Sequence, residues 1–225
     1  MTLADAAKPD WDRIDTVLLD LDGTLLDLAF DNYFWLERIP AAYAAARGMT
    51  TDEARTALLP RFRGQEGQLE WYCIDHWSRE LGLPVAQMHH DERHRMGWLP
   101  GAEGFLRRLA SLDKRRVLVT NAHPETLRIK DGQTGVTRYF DAVWSSHVLQ
   151  APKENPVFWP RLRAAEPFDP GRTMFVDDSL PVLRAARQAG IGWIYAVRRA
   201  DAPQGGEFHE IDSVAQLFSG RSRKG

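Results

Sequence analysis

Asp20 and Asp22 stand two positions apart, run on into Gly23 and Thr24, and directly follow the aliphatic stretch Thr16-Val17-Leu18-Leu19. A short apolar run ended by acid and glycine reads as a buried strand. The carboxyl end of such a strand is where open α/β sheets hold their ligands. Two carboxylates leaving one strand repel each other unless a positive charge sits between them, and Mg2+ is the hard cation suited to that place. Asp and Gly are also ordinary turn formers. A chemical reading therefore needs a cation site, a phosphate grip and a pocket from the rest of the chain.

Three further pieces supply candidates. The run Arg116-Val117-Leu118-Val119 ends in Thr120-Asn121, and Thr173-Met174-Phe175-Val176 ends in the paired acids Asp177-Asp178. Lys153 lies in Ala151-Pro152-Lys153-Glu154-Asn155-Pro156, before a predicted helix. Taken singly, an acidic pair before Ser179 caps a helix, Thr-Asn makes a turn, and a surface lysine is solvated. Together they offer a nucleophile, a hydroxyl, a cation and metal ligands at the ends of three strands.

The elements that must position them alternate. Strands are expected at 16–19, 116–119, 141–145, 173–176 and 192–197, with helices at 101–111, 124–132, 155–165 and 179–189 between them. This is the pattern of an α/β fold with a parallel sheet covered on both faces. Between Asp31 and Leu99 the pattern fails. Helices are expected there at 32–39 (bent or restarted by Pro40), 51–62 (capped by Thr51 or Asp52 and limited by Pro60), 69–81 and 85–96. A stretch of roughly seventy residues is too long for an ordinary connection and reads as an inserted helical cap. The expected division is a core of residues 1–27 and 101–225 around a cap of residues 28–100. Gly220 to Gly225 is a basic tail expected to fray.

The order Asp20-Leu21-Asp22-Gly23-Thr24, Val119-Thr120-Asn121, Lys153 and Phe175-Val176-Asp177-Asp178-Ser179 resembles the four motifs of the haloacid dehalogenase-like (HAD) phosphatase superfamily. The resemblance implies a HAD-like Rossmannoid parallel sheet core with an inserted helical cap. It implies a Mg2+-dependent phosphomonoester hydrolase working through an aspartyl-phosphate. Asp20 is then the nucleophile, since a carboxylate attacks phosphorus without first losing a proton. Asp22 is the acid–base that protonates the leaving alkoxide and then helps deprotonate water. Thr120, Asn121 and Lys153 hold phosphoryl oxygens. Mg2+ takes the Asp20 carboxylate, the Asp22 backbone carbonyl and Asp178, with Asp177 acting through water or orienting the shell. Gly23 permits the turn off the strand, and Thr24 supports Asp22.

Within the insert the resemblance is closer. Leu26-Asp27-Leu28-Ala29-Phe30-Asp31-Asn32-Tyr33-Phe34-Trp35, Trp71-Tyr72-Cys73-Ile74-Asp75-His76-Trp77 and Thr120-Asn121-Ala122-His123-Pro124 are similar to bacterial GMP/IMP 5'-nucleotidases of this superfamily. That implies purine nucleoside monophosphates as substrates and a role in nucleotide metabolism. A purine needs a flat apolar surface and polar groups at its edge, and base stacking on aromatics contributes about 1–3 kcal/mol. Tyr33, Trp35 and Trp71 are candidate surfaces, and Asn32 and Asp75 candidate edge readers. His123 is a candidate contact to ribose or phosphate. Aromatics at helical spacing also simply pack a bundle core.

Bulk features narrow the classes. A formal charge of −2 gives no basic balance for nucleic-acid binding. The first fifteen residues carry four aspartates rather than a signal peptide's apolar core, and no apolar run approaches a membrane span. One cysteine, Cys73, cannot form an internal disulfide. A soluble cytoplasmic enzyme is expected, of an oligomeric state the residues do not indicate. The remaining histidines, including His89, His90 and His94, lack a metal arrangement: His90 and His94 could sit one helical turn apart but have no third ligand, so no zinc site is expected. The rivals are a HAD sugar-phosphate phosphatase, a phosphosugar mutase, and a non-hydrolytic receiver-like phosphoprotein.

Overall fold

Strand β1 (Thr16–Leu19) runs between β2 (Arg115–Thr120) and β4 (Thr173–Asp177). The computed structural model describes residues 8–199 and 206–218, so the expected frayed tail lies outside the described residues. With β3 (Ala142–Ser145), β5 (Trp193–Val197) and β6 (His209–Ile211) the sheet has the order β3-β2-β1-β4-β5-β6, every pair parallel. Leu18 sits opposite both Val117 and Phe175. All four β1 residues are buried because helices cover both faces, which is why the strand reads as an unbroken apolar run.

Successive β1 side chains point to opposite faces. Val17 and Leu19 join the cluster of Ala102, Phe105, Leu106 and Leu109, whereas Leu18 joins Phe158, Leu162, Val182 and Leu183. A third cluster, including Phe30, Phe34, Tyr43, Leu58, Phe62, Trp77, Leu81 and Met88, holds the helical insert together. The insert contains α1 (Ala29–Tyr33), α2 (Ile39–Arg47), α3 (Thr51–Arg63), α4 (Ile74–Leu81) and α5 (Val85–Asp91). The remaining helices are α6 (Ala102–Leu109), α7 (Pro124–Thr134), α8 (Ser146–Leu149), α9 (Phe158–Ala165) and α10 (Leu180–Gln188). The two chains linking insert and sheet are tied to each other: Asp27 N donates to Gly97 O at 3.0 Å and Leu99 N to Leu25 O at 2.8 Å.

Several local expectations are corrected. α1 and α2 are joined without a break by a π-helical turn, Phe34–Arg38, and Pro40 sits at the start of α2, where Leu36 O, four residues before it, accepts from Arg55 Nε at 3.4 Å. α3 is capped by Thr50 in a reciprocal box with Glu53 and runs through Pro60. The helix expected over 69–81 is broken at Cys73, an extended residue between a 3-10 turn (Leu69–Tyr72) and α4. α9 begins three residues later than expected because the Asn155 side chain accepts from Val157 N and makes a turn first. The three-residue strand β6 carries no sequence signal of its own length or pattern.

Candidate active site

The carboxyl ends of β1, β2 and β4 bring Asp20, Thr120 and Asp177 to one edge of the sheet. Lys153 reaches them from the loop after α8. Its Nζ donates to Asp20 Oδ1, to Asp177 Oδ2 at 2.7 Å and to Val119 O at 3.2 Å, with the side chain 3% exposed. Burial alone would lower the lysine, but Asp177 and Asp20 hold its ammonium well above its usual range. Asp20 is pushed up by burial, against the pull of Lys153 and with Asp177, Asp178 and Asp22 adding to the rise.

The two acids of the fourth motif differ in freedom. Asp177 is engaged on both oxygens, by Lys153 Nζ and by Ser179 N at 2.8 Å. Asp178 meets Arg199 at 3.3 Å and is pushed up to about 7, by burial first and then by Asp177. Gly23 faces it. The glycine has φ +85°, and a Cβ there would collide with the Asp178 carboxylate. Carboxylate oxygens of Asp20, Asp177 and Asp178 lie within 4.8 Å of one another. Three clustered acids against one lysine and one arginine leave negative charge uncompensated, and an all-oxygen set is the chemistry Mg2+ selects. The residues present fit that ion.

Thr120 Oγ1 accepts from Ala122 N at 3.0 Å, which leaves its own proton free to donate. The Asn121 side chain is committed to the loop carrying Lys153: its Oδ1 accepts from Lys153 N at 2.9 Å and its Nδ2 donates to Glu154 Oε2 at 3.0 Å. Glu154 Oε1 in turn accepts from Tyr72 of the insert at 2.9 Å. Thr24 departs from expectation. Its hydroxyl is buried without a hydrogen-bond partner, so it makes no bond to Asp22.

Asp22 is instead held by Lys130, a residue the sequence reading passed over. Lys130 lies on the inner face of α7 with Thr126 and Ile129, is 2% exposed, and joins Asp22 to Asp31 of α1. The available signal was a lysine one turn after Thr126 and next to Ile129, on what had to be the buried side. Glu154, Arg199 and His89 were also missed. They carry no motif, and only the tertiary fold brings them to the site.

A cavity of about 530 Å³ runs from Asp20, Asp22, Lys153 and Asp178 to an aromatic wall of Trp35, Phe62, Trp71 and Trp77 in the insert. Its size falls in the range of roughly 300–1,000 Å³ that encloses small ligands. Asn32, Trp35 and Trp71, candidate base contacts, are in its lining. His89 lines it too, with both ring nitrogens unpartnered and the ring kept neutral by burial, at about 3. Three expected substrate contacts fall outside. Tyr33 turns away under the Arg95 guanidinium, 4.0 Å from its ring centre. Asp75 is exposed, and His123 faces it at 3.6 Å while its Nδ1 caps α7 by accepting from Glu125 N. Both are drawn to the seam between insert and sheet, beside the cavity and not in its lining.

Residues 14–190 match the family model described as haloacid dehalogenase-like hydrolase. The chain is 40% identical over 192 residues to the GMP/IMP nucleotidase YrfG of Escherichia coli (strain K12), covering 85% of this chain and 86% of that protein, and equally to that of Shigella flexneri. Among solved structures it is similar to a HAD phosphatase from Thermococcus onnurineus, with a TM-score of 0.79 and 23% identity over 91% of this chain and 96% of that one. It is also similar to L-2-haloacid dehalogenase from Xanthobacter autotrophicus, with a TM-score of 0.60 and 18% identity over 91% of this chain and 96% of that one. Likeness at those identities concerns the fold alone.

Proposed function

The chain belongs to the haloacid dehalogenase-like hydrolases and is a phosphatase of that family, and we propose that it hydrolyses GMP and IMP to nucleoside and phosphate through an aspartyl-phosphate on Asp20, with Mg2+ bound. The single observation that carries this reading is the continuity of the cavity. One end is the Asp20 carboxylate with its lysine, and the other is an aromatic wall at the place where a nucleotide's base would lie. The similarity to the GMP/IMP nucleotidases supports the choice of base.

Lys153 occupies Asp20 Oδ1 and leaves Oδ2 to attack the phosphorus. The phosphorus–oxygen bond to the nucleoside breaks as the bond to Asp20 forms, and the departing 5'-oxygen takes a proton from Asp22. Asp22, now ionised, accepts a proton from the water that attacks the aspartyl-phosphate, which returns free Asp20 and inorganic phosphate. The Thr120 hydroxyl donates to the phosphoryl oxygens where charge develops, and Lys153, whose three N–H bonds go to Asp20, Asp177 and Val119 O, adds its positive charge beside them. Mg2+ would be held by Asp20, Asp178 and the Asp22 backbone carbonyl, with Asp177 in its outer shell, and supplies neutralisation of the two anions that must meet. Trp35 and Trp71 face the base, and Asn32 its edge.

A sugar-phosphate phosphatase or a phosphosugar mutase would use the same catalytic edge, and the similarity to GMP/IMP nucleotidases favours the nucleotide over both. Membership of the hydrolase family sets aside the receiver-like alternative. The test is a phosphate-release screen of GMP, IMP, AMP, pyrimidine monophosphates and sugar phosphates with Mg2+. GMP and IMP are expected to lead. A clear preference for a sugar phosphate would overturn the nucleotide reading while leaving the chemistry at Asp20 in place.

A further inference from the structure

Cys73, His123 and His147 converge at the seam between the helical insert and the sheet, away from the carboxylates. One ligand atom from each lies within 4.8 Å of the other two. Their origins are distant. Cys73 ends the 3-10 turn before α4, His123 precedes α7 after β2, and His147 lies in α8 after β3. We propose that these three residues form a second cation site, selective for a soft divalent ion such as Zn2+, that ties the insert to the sheet.

Cys73 and His147 present ligand atoms directly, whereas His123 must exchange one of its present contacts for an ion. Cys73 Sγ sits at the N-terminus of the eight-residue helix α4, accepts from His76 N at 3.4 Å, and is partly open to solvent. His147 Nε2 is buried with no hydrogen-bond partner, an expensive position for a bare lone pair. The Ser146 hydroxyl donates to Asn121 O, so toward Ser146 the His147 ring can only donate through Nδ1, at 3.5 Å, which leaves the Nε2 lone pair outward. Burial beside His123 keeps that ring neutral, at about 4. The two rings meet edge to face at 4.8 Å without a hydrogen bond between them. His123 Nε2 lies 3.6 Å from Asp75 Oδ2 and its Nδ1 accepts from Glu125 N at 3.3 Å, so an ion taken on either nitrogen displaces one of these contacts.

Zinc bonds of about 2.0–2.1 Å to nitrogen and 2.3 Å to sulfur set tetrahedral ligand separations of about 3.3–3.6 Å. The observed 4.8 Å limit closes with movements of roughly 1 Å, within reach of a partly exposed cysteine on a loop. Two imidazoles and a thiol suit a soft ion and not Mg2+. Binding releases the Cys73 thiol proton to solvent and takes both histidines as neutral rings. The fourth position is left to water or to Asp75. Tyr72, the neighbour of Cys73, already bonds Glu154 of the sheet side, so an ion here would reinforce an existing tie and hold the insert down. The resulting inhibition rests on the phosphatase reading; the site itself does not.

The full-length protein, saturated with Mg2+, is titrated with Co2+ and separately with Zn2+. A near-ultraviolet thiolate-to-cobalt band is expected, lost in Cys73→Ser, together with one Zn2+ per chain that Mg2+ does not displace, lost in both Cys73→Ser and His147→Gln. Asp20→Asn keeps the band, because the carboxylate site has no sulfur. Zn2+ inhibition of phosphate release is expected to weaken at least tenfold in Cys73→Ser. No thiolate band, or a band and stoichiometry unchanged in both variants, overturns the site. A bound ion with undiminished turnover overturns the tether. Circular dichroism on each variant separates a lost ligand from a lost fold.

Discussion

Lys130 Nζ lies 2.6 Å from Asp22 Oδ1 and at the same time contacts both oxygens of Asp31, at 2.8 and 2.9 Å. The lysine comes from α7, Asp22 from the loop after β1, and Asp31 from α1 of the insert. Burial alone would lower Lys130, yet Asp22 and Asp31 hold its charge well up. Burial pushes Asp31 to about 6 against the opposing pull of Lys130. One ammonium thus fixes the proposed acid–base carboxyl and joins it to the helical insert. The placement of α1 of the insert and the orientation of Asp22 share a single buried cation.

Lys130→Met is therefore expected to destabilise the protein by about 1–3 kcal/mol, because it leaves two partly exposed carboxylates facing one another without their shared cation. The double variant Lys130→Met, Asp31→Asn should recover part of that loss. Turnover should stay at least tenfold down in both, since Asp22 is no longer held. Denaturant unfolding and steady-state kinetics check the two halves separately, and a fully active single variant would remove Lys130 from the positioning of Asp22.

What could be read in the sequence and what could not divide along this same line. Asp20, Thr120 and Asp177 end apolar strands, and parallel strands in one sheet necessarily bring their carboxyl ends to one edge, so local pattern sufficed. Lys153, in the loop after α8, was legible only through its place in the order of the four motifs. Lys130, Glu154, Arg199 and His89 sit on helices and loops whose docking angles are set by packing between the insert and the sheet, which no spacing rule expresses. Tyr33 and Trp35 show the limit within one helix. Two residues apart, one faces the cavity and the other lies against Arg95, because a two-residue step turns a helix by more than half.

Asp20→Asn should abolish phosphate release, by about 10⁴-fold or more. The fold is expected to persist: Asn is isosteric, relieves repulsion among Asp20, Asp177 and Asp178, and leaves Lys153 paired with Asp177. A phosphate-release assay and a thermal melt on the same preparation decide it. Retained turnover would remove Asp20 as nucleophile.

The raised pKa of Asp178 gives a pH dependence with a definite sign. Its carboxyl moves from 3.8 to about 7 on folding without metal, through burial and Asp177. The folded state then holds the proton more tightly, so metal-free stability is present at low pH and is lost as pH rises through that window. Mg2+ needs the ionised carboxylate, so its stabilising shift in Tm should be small near about pH 5.5 and large near about pH 8. Equal shifts at both ends, measured with Mg2+ against a chelator, would separate Asp178 from the metal.

Gly23→Ala tests the turn that follows Asp22. With φ at +85°, an L residue is strained by about 1–2 kcal/mol. Its Cβ would also displace the Asp178 carboxylate. The Mg2+ concentration giving half-maximal activity should rise about 10–100-fold, with a smaller change in kcat once Mg2+ saturates. A variant with unaltered Mg2+ dependence would show that Asp178 tolerates the displacement.

Trp35 separates recognition of the base from the chemistry of the phosphate. Its indole lines the far end of the cavity, edge-on to Phe34, Phe62 and Trp77, and touches none of the catalytic carboxylates. Stacking contributes about 1–3 kcal/mol per base, so Trp35→Leu should lower kcat/KM for GMP and IMP roughly 5–100-fold. Ribose 5-phosphate has no base to stack, and its hydrolysis should change far less. The ratio of the two rates in each protein isolates the ring contact from any general loosening of the insert, which would depress both substrates alike. Parallel losses on GMP and ribose 5-phosphate would mean that Trp35 packs the insert and does not read the base.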